Sequence, residues 1–232
     1  MKFISALTSV LLAVSPSALA DSFSYSLSLA PEATEGSGFG NSLLYSQGGL
    51  DLTVSAFSDV RYEGTLSAAQ VLRYQTGLGV SNPGEGVNSG SPQHQLDNEY
   101  SWDFMLFEFS GPVDLQSLRV DPFGEFDRDV IYFAGYFNRP LDLLGVETTE
   151  LETLFPVYGE SFNRPSSEAL TVNLKADGVN TLLIAGPRQS GKPDYYKVQG
   201  IKGEISPIPE PTHATLLLLG GALLALRRKR AC

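Results

Sequence analysis

The chain has 232 residues and a formal net charge of −10. An acidic surface repels phosphate groups, so this charge argues against binding to nucleic acid or to anionic lipid head groups. The only cysteine is Cys232, and one of the two histidines, His213, lies in the C-terminal tail. The central part of the chain therefore cannot form disulfide bonds, and with one histidine and no cysteine it has too few imidazole and thiolate ligands for a zinc site.

The N-terminus has the pattern of a secretory signal peptide. Lys2 supplies a positive charge, residues 3–14 form an apolar run, and residues 18–20 (Ala-Leu-Ala) form a small-x-small cleavage sequence. We predict a signal peptide at residues 1–20 that signal peptidase removes, so that the mature protein begins near Asp21.

Alternating apolar and polar residues, interrupted by Gly, Pro, Asn and Asp, predict a succession of short β-strands in residues 21–206. Turns are predicted at Gly111-Pro112 and at Asp177-Gly178, the second of which would close a hairpin. Residues 141–155 mix leucines with acidic residues and are predicted as one short helix or a long loop. The predicted strands are residues 23–29, 50–57, 70–75, 77–80, 102–109, 115–120, 130–137, 170–174, 181–185 and 195–205.

Residues 102–109 (WDFMLFEF) are the most apolar stretch of the predicted mature chain. Such a continuous apolar run predicts a central strand that is covered on both faces. Many short strands with few helical patterns indicate an all-β protein. We predict an antiparallel β-sandwich of jelly-roll type that forms one domain over residues 21–206.

The C-terminal tail, residues 207–232, joins three segments in series. Residues 207–211 form a proline-rich, semi-rigid linker, and residues 214–226 form an apolar run that we predict to be a single hydrophobic helix. This run is shorter than the about 17–25 residues of a permanent membrane span. The positive-inside rule would hold its C-terminal end on the cytoplasmic side through Arg227, Arg228, Lys229 and Arg230.

Pro209, Glu210 and Pro211, followed by the apolar run and the basic residues, resemble the PEP-CTERM sorting signal of exosortase substrates in Gram-negative bacteria. The resemblance implies that an exosortase recognises these three residues and cuts near them after transient anchoring in the inner membrane. It also implies that the released body reaches the cell surface or an exopolysaccharide matrix, as in a biofilm.

The body carries a second resemblance. The resemblance is to a family of exosortase-dependent surface proteins, and it rests on residues 51–57, 77–80, 96–98, 104–109, 113–115, 118 and 194–201. This similarity extends over most of the predicted mature chain through short motifs. It implies a location for the protein more than an activity.

Two groups of acidic residues suit a hard cation such as calcium. Residues Asp121, Glu125, Asp127 and Asp129 lie on one predicted loop, and Asp97, Glu99 and Asp103 form a second group. Calcium needs six to eight oxygen ligands, some of which backbone carbonyls of such loops could supply. Neither group has the spacing of an EF-hand, so the alternative is that these residues are solvated turn acids.

The sequence offers no clear catalytic constellation. His94 lies in a polar loop without a Gly-x-Ser-x-Gly sequence, which argues against a Ser-His-Asp triad. Glu108 interrupts an apolar strand, where burial would raise its pKa, but it could also face water or pair with an arginine. We therefore predict that the protein is not an enzyme, and we keep a secreted polysaccharide hydrolase as the less favoured alternative.

Aromatic residues suggest a further role for the body. Tyr100 and Trp102 are candidates for stacking on sugar rings, the alternative being that such aromatic residues belong to the core. Our main hypothesis is an exported protein with a structural or adhesive role at the cell surface. The second hypothesis is a carbohydrate-binding module that acts on exopolysaccharide.

Overall fold

A computed structural model of the chain describes residues 21–87, 94–122, 124–188 and 192–206. Residues Ala20–Ser206 form one compact unit. The predicted signal peptide, proline-rich linker, C-terminal hydrophobic helix and basic tail lie outside the described residues. The described part is mostly antiparallel β-sheet, as the sequence predicts.

The described residues form thirteen strands, two 3₁₀ turns and one short helix. The strands are β1 (Ser22–Ser26), β2 (Ala33–Glu35), β3 (Ser42–Gln47), β4 (Leu50–Asp59), β5 (Ser67–Ala68), β6 (Gln70–Tyr74), β7 (Gly77–Ser81), β8 (Leu96–Asp97), β9 (Trp102–Pro122), β10 (Val130–Gly135), β11 (Val157–Ser161), β12 (Leu170–Ala185) and β13 (Tyr195–Ile205). The 3₁₀ turns are Val60–Tyr62 and Thr148–Glu150, and the helix α1 is Leu151–Leu154.

Two long strands, β9 and β12, lie next to each other in the middle of the sheet. The first part of β9, residues 102–109, pairs with β4 and with the end of β12. The second part, residues 113–122, pairs with β13 and with the beginning of β12. Strand β13 also pairs with β1, β7 and β8. The first and second parts of β9 therefore lie beside different strands, and the two long strands connect these two parts of the sheet.

The turn predicted at Gly111-Pro112 is wrong, because β9 continues through both residues. In the ladder with β12, the paired positions on β9 step from Glu108 to Val113, so Pro112 lies where no ladder bond needs its missing N–H. The proline is therefore compatible with a long strand, and residues 115–120 do not fold back on residues 102–109.

The hairpin predicted at Asp177-Gly178 is also wrong, because residues 170–185 form the single strand β12. The register against β9 shifts between Ala176 and Val179, and Gly178 has a φ of 65°. This left-handed conformation favours glycine and produces a β-bulge in place of a hairpin turn. The Gly178 N–H donates to Asp114 Oδ1 at 2.7 Å, which fixes the bulge against β9.

The hydrophobic core lies on both faces of β9. Met105 and Phe107 belong to the larger core cluster, whereas Phe104 and Leu106 belong to the smaller one. This alternation follows from the period-two geometry of a strand. The prediction that residues 102–109 form a central strand covered on both faces is confirmed.

Five strands were not predicted, namely β2, β3, β5, β8 and β11, of which β3 and β11 are the longest. In β3, Leu43 and Tyr45 are buried, but the short alternation lies between two glycine-rich segments that obscure it. Among the described residues, β11 pairs only with β10, and its residues are exposed or half-buried, so it has no apolar face to reveal it. Residues 141–155 contain both expected features, a loop and the short helix α1.

Candidate functional site

Buried carboxyl groups converge at two places in the described part of the chain. The first acidic cluster consists of Glu85, Asp97 and Asp103, and the second acidic cluster consists of Asp127, Asp129 and Asp194. In each cluster, one carboxylate oxygen per residue lies within 4.8 Å of the others. All of these residues are buried except Glu85, which is half-buried. Such convergence of oxygen donors is what a hard cation requires.

Three segments bring the first acidic cluster together. Glu85 lies in the turn that follows β7, Asp97 ends β8, and Asp103 lies at the start of β9. Asn82 Nδ2 donates to Asp103 Oδ1 at 3.1 Å, and the Asn82 N–H donates to Glu85 Oε2 at 3.3 Å. The Glu99 N–H donates to Asp97 Oδ1 at 3.1 Å. Each carboxyl group is thus fixed in orientation by one donor.

The remaining oxygens of this cluster are less well satisfied. Asp97 Oδ2 and Asp103 Oδ2 are buried and have no hydrogen-bond partner. Burial raises the pKa of all three carboxyl groups, and the charge of Asp103 adds to the rise at Glu85 and Asp97. The pKa of Glu85 reaches about 8. Without a counter-charge, the cluster therefore opposes its own ionisation.

The second acidic cluster is held by a denser set of hydrogen bonds. The Asp129 N–H donates to Asp194 Oδ1 at 2.7 Å, and Asn98 Nδ2 donates to Asp194 Oδ2 at 2.6 Å. Asp129 Oδ1 in turn accepts the Asn163 N–H at 2.5 Å. Burial raises the pKa of Asp129, and the charge of Asp127 adds to this rise. These contacts join the residues that directly precede β10 and β13.

Asn98 connects the two clusters, because it follows Asp97 directly and binds Asp194. Its Nδ2 group donates to the Pro187 carbonyl oxygen at 2.7 Å, and its Oδ1 atom accepts the Asp194 N–H at 2.8 Å. Gly186 packs closely on this pair, since a Cβ atom there would lie 2.9 Å from Asp194 Oδ2 and 3.2 Å from Asn98 Nδ2. The absence of a side chain at Gly186 therefore makes room for the Asn98–Asp194 contact.

The four acidic residues predicted on one loop are divided by the fold. Asp127 and Asp129 join Asp194 in the second acidic cluster. Glu125 is exposed, and Asp121 is paired with Lys197 across the β9–β13 ladder. Burial lowers the pKa of Lys197, and the charge of Asp121 partly opposes that change. Neither Asp121 nor Glu125 belongs to a cluster among the described residues.

The predicted group of Asp97, Glu99 and Asp103 is closer to the observed arrangement. Asp97 and Asp103 belong to the first acidic cluster, and Glu99 accepts a hydrogen bond from the Tyr195 hydroxyl group. Glu85 and Asp194 were missed, because each lies far along the chain from the other members of its cluster. An isolated β-bridge between Asp127 and Asp194 and the pairing of β13 with β8 bring Asp194 to this region, and no local sequence pattern reveals either contact.

The two candidate stacking residues have opposite surroundings. Tyr100 is 70% exposed, but Trp102 is only 6% exposed. Trp102 Nε1 donates to the Gly186 carbonyl oxygen at 2.6 Å, and its ring lies 4.7 Å from that of Phe104. Trp102 therefore belongs to the core, and the prediction that it stacks on a sugar ring is wrong.

Glu108 lies in a surface cleft of about 390 Å³, which Asp51 and Arg139 also line. Its Oε1 atom accepts the Leu141 N–H at 2.7 Å, and burial raises its pKa. Thr53 of β4 is paired with Glu108 across the ladder, so Asp51 lies one step further along on the same face. Two carboxyl groups on neighbouring strands thus border one cleft.

Removing the charge of Glu108 should change how stability depends on pH. Glu108→Gln keeps the oxygen that accepts the Leu141 N–H. Because the folded protein raises the pKa of Glu108, the wild type is favoured while this group is protonated and loses stability as the pH rises through the folded pKa. We expect the variant to gain stability relative to the wild type as the pH rises from the acidic range, where Glu108 is protonated, towards neutral pH, where it is ionised in the unfolded chain.

Urea unfolding at a series of pH values measures this difference. Glu152→Gln is the matched control, because Glu152 is exposed on α1. The control should differ from the wild type by a small amount that varies little with pH. A pH-independent difference for Glu108→Gln would contradict the raised pKa.

Comparisons with protein-family models, with curated proteins and with solved structures give no match for this chain. Within the described ranges, no helix has both the length and the apolar character needed to cross a membrane.

Proposed function

We propose that this chain is an exported protein, sorted and processed by an exosortase, whose body has a structural or adhesive role at the cell surface or in the extracellular matrix. The observation that carries the proposal is the order of segments in the sequence. A signal-peptide pattern precedes an acidic, cysteine-free body, and Pro209-Glu210-Pro211, an apolar run and a basic tail follow it. In this scheme the three residues of the motif are recognised by the processing enzyme and have no catalytic role.

The compactness of the body supports this scheme. Residues Ala20–Ser206 form one unit, and β13 ends at Ile205, just before the proline-rich linker. The Ile205 N–H donates to the Asp21 carbonyl oxygen at 2.7 Å, so the last strand is hydrogen-bonded to the first described residue. Processing at both predicted sites would leave this unit whole.

We further propose that the body is a β-sandwich of jelly-roll type. Both parts of β9 and both parts of β12 contribute side chains to the larger core cluster. The register shifts in the β9–β12 ladder lie between these parts, where a bend would let the two portions of the sheet face each other. Two facing layers around one core are the arrangement that defines a sandwich.

Deleting residues 207–232 tests the sorting proposal. We expect the truncated chain to lose both the size change that accompanies tail processing and its surface location, because the recognition motif and the transient anchor are removed together. Expression in a host that contains an exosortase, followed by cell fractionation and mass spectrometry, measures both effects. Deleting Cys232 alone is the control and should leave processing intact.

A sharper variant replaces Pro209, Glu210 and Pro211 by alanine while keeping the apolar run and the basic residues. If the tail is only a membrane anchor, this variant should behave like the wild type. If the motif is a recognition sequence, the unprocessed protein should accumulate in the inner membrane. Unchanged size and surface location after deletion of the whole tail would contradict the proposal.

The cleft beside Glu108 favours carbohydrate binding as the second candidate function. Polar side chains of Thr53, Glu108, Arg139 and Asn180 line it, and such groups suit the hydroxyl groups of a sugar. Asp51 and Glu108 are diagonal neighbours on adjacent strands, a position at which Cβ atoms are about 7–8 Å apart. Carboxyl groups at about 5–10 Å are also the pair that a glycoside hydrolase uses.

Binding to exopolysaccharide can be measured by affinity electrophoresis and on a glycan array. Arg139→Ala should weaken binding if the cleft is the site, whereas Arg164→Ala, at an exposed position that does not line the cleft, should not. Release of reducing sugar that is lost in Glu108→Gln would indicate hydrolysis in place of simple binding. Absence of binding to every glycan would contradict this second function.

A further inference from the structure

We propose that the first acidic cluster is a Ca²⁺ site, in which Glu85, Asp97 and Asp103 supply carboxylate ligands and the hydroxyl oxygen of Ser58 is a further candidate ligand. The inference does not depend on export or on the processing of the tail. It follows from the position of buried oxygen atoms that the protein itself leaves without partners.

The first observation is the state of the carboxylate oxygens. Asp97 and Asp103 each have one oxygen that accepts a hydrogen bond and one, Oδ2, that is buried without a partner. Oxygens of these residues and of Glu85 lie within 4.8 Å of one another. An unpaired, buried carboxylate oxygen costs several kcal/mol unless a hydrogen-bond donor or a cation satisfies it.

The second and independent observation is Ser58 on β4, the residue directly opposite Asp103 across the β4–β9 ladder. Its side chain is 0% exposed, and its hydroxyl oxygen has no hydrogen-bond partner. Directly opposite residues of an antiparallel ladder carry their side chains on the same face, so this hydroxyl group lies beside the Asp103 carboxyl group. A neutral oxygen that is buried, unpartnered and directed at the carboxylates is a further donor for a cation.

The charges around the cluster also favour a cation. Glu99 adds to the repulsion that Glu85 and Asp103 exert on Asp97. The guanidinium group of Arg188 lies 5.6 Å from the ring centroid of Trp102 and 5.5 Å from that of Tyr62, where it stacks on aromatic faces. A divalent ion among the three carboxylates would offset their mutual repulsion at its source.

The ligand set identifies the kind of cation. Every candidate donor is an oxygen atom, which suits Ca²⁺ or Mg²⁺ and disfavours the nitrogen- and sulfur-loving Zn²⁺. Ca²⁺ accepts irregular sets of protein oxygens, whereas Mg²⁺ demands near-ideal octahedral geometry and retains several waters. Three carboxyl groups from three segments, with a buried serine hydroxyl group beside them, therefore favour Ca²⁺.

The second acidic cluster is a weaker candidate. Both oxygens of Asp194 and one oxygen of Asp129 already accept hydrogen bonds. A cation there would have to compete with these hydrogen-bond donors. We therefore assign the ion to the first acidic cluster, where it would join the turn after β7 to β8 and β9.

Replacing Asp97 or Asp103 by asparagine tests the assignment, because the effect on the melting temperature relative to the wild type should differ between calcium-free and calcium-containing buffer. In EGTA, either variant should melt at the same temperature as the wild type or higher, because one repelling charge is removed. In millimolar CaCl₂, the wild type should gain thermal stability and the variants should not. The full-length protein in mild detergent is used throughout, with Asp142→Asn, at an exposed position, as the control that keeps the calcium response.

Terbium provides a readout that does not depend on stability. Tb³⁺ replaces Ca²⁺ at oxygen-rich sites, and the chain has a single tryptophan, Trp102, which is adjacent in sequence to Asp103. Excitation of Trp102 should give sensitised Tb³⁺ emission that CaCl₂ abolishes competitively. Asp97→Asn and Asp103→Asn should weaken Tb³⁺ binding at least about tenfold, since each removes a charged ligand.

Asp129→Asn distinguishes the two clusters, and it should leave the terbium signal and the calcium response intact. The assignment is overturned if Asp97→Asn and Asp103→Asn bind Tb³⁺ as tightly as the wild type, or if only Asp129→Asn loses binding. It is also overturned if the wild type shows neither sensitised emission nor a calcium-dependent melting temperature.

Discussion

Replacing Phe107 by alanine is expected to lower the free energy of unfolding by about 3–5 kcal/mol. Phe107 is 0% exposed in the larger core cluster, in the part of β9 that pairs with both β4 and β12. Its removal leaves a cavity between strands that are paired on both sides and cannot move together to fill it. The change should not affect either acidic cluster directly, because Phe107 belongs to neither.

Chemical denaturation measures this loss, with Phe162→Ala as the matched control. Phe162 is 61% exposed, so its truncation should change the free energy of unfolding by less than about 0.5 kcal/mol. Equal effects at the two positions would contradict the assignment of β9 to the centre of the fold.

Replacing Asn98 by alanine is expected to cost about 3 kcal/mol. Asn98 is buried, and its side chain donates to the Pro187 carbonyl oxygen and to Asp194 Oδ2 and accepts the Asp194 N–H. Alanine leaves the Asp194 carboxylate and N–H without these partners in a region that water does not reach. The loss therefore includes the cost of unsatisfied buried groups as well as the hydrogen bonds themselves.

The control for this experiment is Asn173→Ala, since Asn173 lies at an exposed position on β12. It should change the free energy of unfolding by less than about 0.5 kcal/mol. Thermal and urea unfolding, both followed by near-ultraviolet circular dichroism, compare the two variants. A cost at Asn98 no larger than that at Asn173 would show that the link between the acidic clusters is not a stabilising contact.

The all-β fold class was predictable because local patterns of apolar and polar residues identify most of the longer strands. The apolar residues 102–109 identify a strand covered on both faces, since no other arrangement buries side chains that alternate between two sides. The length of β9 and β12 was not predictable in the same way. Gly111-Pro112 and Asp177-Gly178 have the composition of turns, and only pairing with neighbouring strands keeps them inside long strands.

The candidate site was predictable only in part, for a related reason. Asp97 and Asp103 are close in sequence, and so are Asp127 and Asp129, so the composition of each loop reveals them. Glu85 and Asp194 reach the clusters through tertiary structure alone. Trp102 illustrates the opposite error, because an aromatic residue at the start of a strand has the same sequence signature whether its ring is exposed or buried.

The pairing of β13 has a consequence for the order in which the body can form. This strand is the last described element of the chain, yet it pairs with β1, β7, β8 and β9. Four earlier strands therefore lack a neighbour until residues 195–205 have been made. Closure of the body must wait for the arrival of its own C-terminal end, and a chain that stops before β13 would expose open strand edges to other chains.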